Sequence, residues 1–402
     1  MAHIVITGAG QAGAALAARL RALEFPGDIT LIGAEPVPPY QRPPLSKKYL
    51  LGELPLERLF LRPEEFYAEN AIALRLGQRV DGIDPTAKTV TLGEEVLSYD
   101  QLALTTGAPA RRLPAALGGD LPGVHVVRSL ADVDTMAPEF RKGARVLIVG
   151  GGYIGLEAAA VAASKGLHVT LIEAADRILQ RVAAPETSAW FAALHRGHGV
   201  DLRESTALVR LTGDDRVRHA DLTDGTTLEV DFVIAGIGIA PATDLAETAG
   251  LACDGGIVVD EFGQTSLPGI WAAGDCAAQP CRGTRLRLES VQNAIDQAEA
   301  VAANMLGADK PYRPQPWFWS DQYDVKLQIA GLNRGYDHVI MRPGARDGSL
   351  SHWYFQGETL LAVDAMNDPR AYMIGKRLIE NEISPKPESL ADPDSDLRAL
   401  LP

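Results

Sequence analysis

The chain is short of cysteine, of positive charge and of long apolar runs, and each shortage closes off a class of function. Three cysteines in 402 residues (Cys253, Cys276 and Cys281), none in a CxxC pair, leave no basis for a disulfide framework. They read as buried or idle thiols, and no metal site is expected. No apolar stretch approaches the roughly 18 residues that a membrane helix needs. The N-terminus enters an apolar strand at Ile4-Val-Ile6 with no basic region or cleavage site before it, so a cytoplasmic location is expected. Lys and Arg number 38 against 52 Asp and Glu, a formal charge of −14, which argues against a nucleic-acid partner. What is present is ordinary for a soluble globular protein: 46% hydrophobic residues and 22% charged, in a chain long enough for two or three domains.

One large-scale repeat stands out. The sequence HIVITGAGQAGAALAARL near the start carries Gly8, Gly10 and Gly13. The sequence VLIVGGGYIGLEAA in the middle carries Gly150, Gly152 and Gly155. Each set follows an apolar strand and opens an Ala-rich helix. In such a turn the first glycine makes the bend, the second lets backbone N–H groups approach a pyrophosphate, and the third lets the helix pack on the strand. The phosphate then meets a helix N-terminus, where unpaired N–H groups favour an anion. Each copy also has an acid at the end of its next strand, Glu35 and Glu173, placed to hold a ribose hydroxyl. Two complete copies imply two adenine dinucleotides, one bringing electrons and one receiving them, as a flavin beside a nicotinamide does. The acid at Glu173 favours NADH over NADPH, because it would repel a 2′-phosphate; Arg177 four residues on is the opposing signal.

The organisation follows from these units. Asp28–Gly33, Val146–Val149, His168–Glu173 and Phe232–Gly238 read as strands, and Ser98–Gly107 as a strand entering a glycine turn. Tyr153–Ser164 reads as a helix stopped by Gly166. Pro109–Pro122 looks like a domain boundary. Ile270–Ala272 lies within a short apolar strand that runs into Gly274-Asp275, and a helix spans about 290–306. A third region begins near Pro316 with alternating strands such as Val325–Ile329 and Ser351–Phe355. It ends in a helix near 371–380 and an acidic tail, expected to be mobile.

With two fingerprints and the Ala273-Gly-Asp275 element, the chain resembles the pyridine-nucleotide FAD oxidoreductases of glutathione-reductase-like fold. The stretches Arg42-Pro-Pro-Leu-Ser-Lys47, Gly152-Tyr-Ile-Gly-Leu-Glu157, Glu289-Ser-Val-Gln-Asn293 and Pro316-Trp-Phe-Trp-Ser-Asp-Gln-Tyr323 narrow this. They are similar to the putidaredoxin-reductase-like, NADH-dependent ferredoxin reductases of bacterial cytochrome P-450 and ring-hydroxylating dioxygenase systems. The resemblance implies an α/β chain with two Rossmann-like domains and a C-terminal α+β domain. FAD would take 1–113 and 241–315, NAD 114–240, and the third domain 316–402. It implies FAD contacts at Gly8, Gly10, Ala12, Gly13, Glu35, Arg42, Lys47, Val80, Thr106, Gly107, Arg128, Asp275, Val291 and Trp319. It implies NAD contacts at Gly150, Gly152, Tyr153, Ile154, Gly155, Glu173 and Gly238.

Related enzymes pass electrons from flavin to a cysteine falling near Arg42–Lys47, and this segment has none. The acceptor must then lie outside the chain, and a [2Fe–2S] ferredoxin fits, since a flavin takes two electrons together and releases them singly. The resemblance implies that Lys47 sits near the flavin paired with Glu157, and that Tyr153 covers the nicotinamide pocket. On its own, Lys47 would read as a solvated loop lysine and Glu157 as an acid complementing a helix dipole. Trp317 and Trp319 share one strand face, either in a core or, for Trp319, near the flavin. A usually acidic ferredoxin would be repelled by this chain at long range. Local basic residues must compensate: Arg111, Arg112, Arg282 and, chiefly, Arg285, Arg287, Lys310 and Arg313. Rival readings are an NADH oxidase, a rubredoxin- or nitrite-reductase-linked flavoprotein, and an apoptosis-factor-like NADH sensor. A monomer or weak dimer is expected.

Overall fold

A computed structural model describes residues 2–281 and 283–401. The chain divides into two compact units, each built from three segments. The first comprises Met1–Gln41, Leu56–Pro109 and Ala240–Pro316; the second comprises Arg42–Pro55, Ala110–Ile239 and Trp317–Pro402.

The first unit is organised on a five-stranded parallel sheet in the order Ile270–Ala272, Gln101–Leu104, His3–Thr7, Asp28–Gly33, Ile72–Leu76. Its strands are apolar almost throughout because both faces are covered. Ile4, Ile6, Ile29, Leu31 and Ala103 face the helices Gln11–Ala22 and Val291–Met305. Val5, Ile32, Leu102 and Leu104 face a second core that contains Val80, Val90 and Tyr99. A small antiparallel sheet, Gly82–Asp84, Thr89–Leu92 and Glu95–Ser98, borders that second core. The stretch read as one strand from Ser98 is therefore two elements in two sheets.

The second unit repeats the parallel design in the order Asp201–Arg203, His168–Ile172, Arg145–Val149, Phe232–Ala235, Val124–His125. The helix expected over Tyr153–Ser164 is found at those residues, with Gly166 at φ 76° just past its end. The strand from Phe232 stops at Ala235, short of the expected Gly238. The chain turns there because Gly236 must pass close to the glycine turn: a Cβ on Gly150 would lie 2.4 Å from the Gly236 carbonyl oxygen. The same unit holds an antiparallel sheet in the order Trp317–Gln322, Val325–Gly331, Thr359–Met366, Leu350–Gln356, His338–Pro343. The amphipathic helix Pro369–Glu380 packs on it through Ala371, Ile374 and Leu378. Among the described residues no helix is long and apolar enough to cross a membrane.

The acidic tail is tied down rather than mobile. Leu390 and Leu397 are buried in the core of the C-terminal sheet. The buried Arg342 guanidinium donates to the carbonyls of Leu390 (3.0 Å), Asp392, Pro393 (2.9 Å) and Ser395 (2.7 Å), and to the Ser395 hydroxyl (2.9 Å). Composition points to mobility here, but one planar five-donor group matches a run of carbonyls that would otherwise need water. Replacing it should release the tail: Arg342→Ala is expected to cost about 3 kcal/mol in chemical denaturation and to open residues 385–401 to proteolysis.

Candidate functional site

In each parallel sheet the candidate residues gather at the carboxyl ends of neighbouring strands, where α/β sheets bind ligands. In the first unit Gly8 follows His3–Thr7, Glu35 follows Asp28–Gly33, Thr106 and Gly107 follow Gln101–Leu104, and Asp275 follows Ile270–Ala272. In the second, Gly150 follows Arg145–Val149, Glu173 follows His168–Ile172, and Gly238 follows Phe232–Ala235.

The three glycines of each turn meet three different constraints, and the two turns agree position by position. Gly8 and Gly150 have φ of 114° and 110°, and a Cβ on either would strike a backbone oxygen, of Thr105 at 2.1 Å or Gly236 at 2.4 Å. Gly13 and Gly155 press on their own turns: a Cβ would lie 2.0 Å from the Gly8 oxygen or 2.1 Å from the Gly150 oxygen. Gly10 and Gly152 have open space in front of them, with nothing within 4 Å. Both are the N-caps of 12-residue helices and neither helix has a side-chain cap. The space that a side chain would fill, facing uncapped N–H groups, fits a dinucleotide pyrophosphate at each turn.

The two acids are held differently. Glu173 accepts from the Gly151 N–H (2.7 Å) and the Ala175 N–H (2.8 Å), so its carboxylate lies against the glycine turn. Glu35 accepts from the Tyr40 hydroxyl (2.6 Å). Arg177 donates to the Ala183 carbonyl (2.9 Å) and to Ser188. Near Asp275, Gly274 comes so close to the first helix that a Cβ would lie 2.9 Å from that of Ala12, and its N–H donates to the buried Gln297 (2.8 Å). Val291 opens the helix that carries Gln297. Thr106 donates to the Ala242 carbonyl (2.9 Å), and Val80 is buried in the sheet core.

A charged cluster lies in the second unit. Glu157, 1% exposed, accepts from Lys47 Nζ (2.7 Å), Ser46 Oγ (2.5 Å) and Ser320 Oγ (2.7 Å). Lys47 also donates to the Pro43 carbonyl (3.2 Å). Tyr153 and Glu157 sit four residues apart on one helix face, opposite alternate residues of the Trp317–Gln322 strand. Tyr153 meets Phe318, with ring centroids 4.9 Å apart, and Glu157 meets Ser320. Burial first, then the acidic groups of Asp364, Tyr354 and Glu157, push the Tyr153 phenol well above its ordinary value. Ile154, between them, is exposed. Trp317 and Trp319 do share a strand face, their rings 5.6 Å apart, and Trp317 leans on the C-terminal core. Arg42 donates to the Arg128 carbonyl (2.8 Å).

Residues 2–298 match the family described as pyridine nucleotide-disulphide oxidoreductase, and residues 317–401 match the reductase C-terminal family. The chain belongs to the pyridine nucleotide-disulphide oxidoreductases. Among this family it is 45% identical to a ferredoxin–NAD(P)+ reductase of Sphingomonas sp., over 99% of this chain and 97% of the relative. It is 37% identical to the ferredoxin–NAD+ reductase component of the p-cumate 2,3-dioxygenase system of Pseudomonas putida, over 99% and 98%. The fold superposes on the crystal structure of the covalent putidaredoxin reductase–putidaredoxin complex with a TM-score of 0.96, at 40% identity, covering 99% of this chain and 98% of that one.

Among the described residues no disulphide of the family name is formed. Cys276 and Cys281 are buried, and burial first raises the Cys276 thiol. Of the basic residues, Arg285, Lys310 and Arg313 are exposed. Arg287 is half-buried and committed to Glu289 (2.6 Å) and the carbonyls of Gly255 and Asp275. Arg112 pairs with Asp132, Arg111 donates to the Ile239 carbonyl, and Arg282 lies outside the described residues.

Sequence reasoning missed the serines that serve Glu157, although Ser320 is two residues from Phe318 on an alternating strand. It also missed a second buried cluster. There Asp364 accepts from Tyr354 and from Thr187 (3.0 Å), and Thr187 also meets His352 Nδ1 (2.7 Å). Burial pushes Asp364 up to about 6 and His352 down to about 4. A carboxyl raised in the folded state binds its proton more tightly there than in the unfolded chain, so its contribution to stability falls as pH rises from about 4 to 6. Asp364→Asn removes that loss. Its denaturation free energy is expected to gain about 2–3 kcal/mol on wild type between pH 4 and pH 6.5.

Proposed function

We propose that this chain is an FAD-dependent NADH:ferredoxin oxidoreductase, supplying electrons through a [2Fe–2S] ferredoxin to a cytochrome P-450 or ring-hydroxylating dioxygenase in the cytoplasm. The observation that carries the reading is the pair of matched glycine turns, each with open space at its second glycine, in a chain with no thiol relay. Its relatives include a ferredoxin–NAD(P)+ reductase and a dioxygenase-system reductase, and the complex it resembles joins a reductase to its redoxin. One NADH and two oxidised ferredoxins give NAD+, one proton and two reduced ferredoxins.

In this reading residues 1–113 and 241–315 hold FAD, 114–240 hold NADH, and 316–402 form the third domain. Backbone N–H groups at Gly10 and Gly152 bind the pyrophosphates, and Glu35 and Glu173 accept from ribose hydroxyls. Asp275, Thr106, Gly107, Arg42, Arg128 and Val291 complete the FAD side. Bound FAD supplies a two-electron acceptor that can release electrons singly. Lys47 supplies a fixed positive charge that favours added negative charge on the neighbouring ring system, and Glu157 keeps that ammonium in place. Tyr153, against Phe318, covers the nicotinamide position until NADH displaces it. No residue attacks covalently, so the chain contributes orientation and electrostatics. Arg285, Lys310 and Arg313 are the exposed cations proposed to receive the ferredoxin, with Arg287, half-buried and paired with Glu289, beside them.

Three measurements test this. Cytochrome c reduction by NADH should depend strongly on added [2Fe–2S] ferredoxin; rapid direct O₂ consumption instead would identify an oxidase. Lys47→Met should slow flavin reduction by NADH in stopped flow by about tenfold or more, and an unchanged rate removes Lys47 from the mechanism. Glu173→Ala should narrow the NADH over NADPH preference by about tenfold, since Arg177 is occupied elsewhere; an unchanged ratio places Glu173 away from the ribose.

A further inference from the structure

The Glu157 cluster does not end at Ser320. Gln322 Nε2 lies 3.1 Å from Ser320 Oγ, Gln322 Oε1 lies 2.8 Å from His195 Nε2, and His195 Nδ1 lies 3.1 Å from the Tyr323 hydroxyl. Ser320, Gln322 and His195 are all 0% exposed. Beyond them Tyr323 stacks on the exposed His198, with centroids 3.7 Å apart and planes 13° apart.

The directions in this array are forced. An ionised carboxylate only accepts, so Ser320 spends its single proton on Glu157. Ser320 can then only accept from Gln322, which fixes the amide with its nitrogen toward the serine. The amide oxygen is left facing His195, so Nε2 must carry the imidazole proton. Nδ1 is then a lone pair, and the Tyr323 hydroxyl donates to it. Four successive hydrogen bonds run one way and end on Glu157. Burial, which pushes His195 down to about 4, keeps the ring neutral and able to take part in this pattern at neutral pH.

We propose that His195 is a positioning residue for the Lys47–Glu157 pair, acting through Gln322 and Ser320 to hold the Glu157 carboxylate in the pose that fixes the Lys47 ammonium. This rests on the role given to Lys47 above. A packing role at position 195 would be met by any ring of similar size. A directional role needs a donor where Nε2 stands, because an array that loses its donor leaves Gln322 free to turn and Ser320 free to leave Glu157.

Two experiments on the FAD-loaded protein test the proposal. In the first, ¹⁵N-histidine labelling reads the tautomer of His195 by NMR at pH 7, with the resonance assigned by its loss in His195→Gln. Wild type is expected to show the Nε2–H form. Glu157→Gln supplies a donor where the carboxylate stood, lets the array reverse, and should raise the Nδ1–H population at least severalfold. A tautomer that ignores the change at position 157, or a wild-type ring in the Nδ1–H form, overturns the proposal. In the second, acetic anhydride labelling at fixed pH follows Lys47, with Lys165 as internal reference. His195→Phe should speed Lys47 acetylation about fivefold while leaving Lys165 unchanged, and His195→Gln should restore the wild-type rate. Equal behaviour of the two variants, or equal acceleration at both lysines, reduces His195 to packing. Neither readout depends on turnover. If Lys47→Met leaves flavin reduction unchanged while both results hold, the array stands and the catalytic role of Lys47 falls.

Discussion

A buried carboxylate dictates much of the second unit. Glu157 sits in the middle of a helix, out of water, and an ionised acid there without partners would cost several kcal/mol. Its requirement is met by three donors from two other segments: Ser46 and Lys47 from the short stretch Arg42–Pro55, and Ser320 from the first strand of the C-terminal sheet. Segments more than 100 residues apart are thereby fixed to one atom group. The lysine is held for the same reason, because its ammonium, 14% exposed, has a partner it cannot leave without stranding the acid.

The parts of this architecture that obey local rules were legible in the sequence. The glycine turns could be read because their spacing is local: Gly13 and Gly155 press on the turns that Gly8 and Gly150 open, and Gly10 and Gly152 are glycines with no packing reason to be so, although what crowds Gly8 and Gly150, Thr105 and Gly236, lies far off in sequence. The Tyr153–Ser164 helix was legible to the residue from its Ala-rich run and its Gly166 stop. Period-2 geometry placed Trp317 and Trp319 together. What could not be read depended on partners distant in sequence. Nothing near Ser320 says that it serves Glu157. Nothing in an acidic, proline-containing tail says that Arg342 will bind its carbonyls.

With no disulphide among the described residues, the rest of the chain has more to do. A sulfur relay stores electrons in a bond that the protein positions for itself. An enzyme without one depends on the surface it offers a partner, and in the proposed reading Arg285, Lys310 and Arg313, exposed on a chain of net charge −14, would supply it. Such a surface would gain most from steering at low ionic strength and lose that gain as salt rises.

The helix that begins at Gly152 carries the uncapped N–H groups at one end and Glu157 one and a half turns further in. About 7 Å of rigid rod separates them. In the proposed reading, a phosphate held at the first turn and the carboxylate that fixes the lysine ammonium share one continuous helix, with no loop between them.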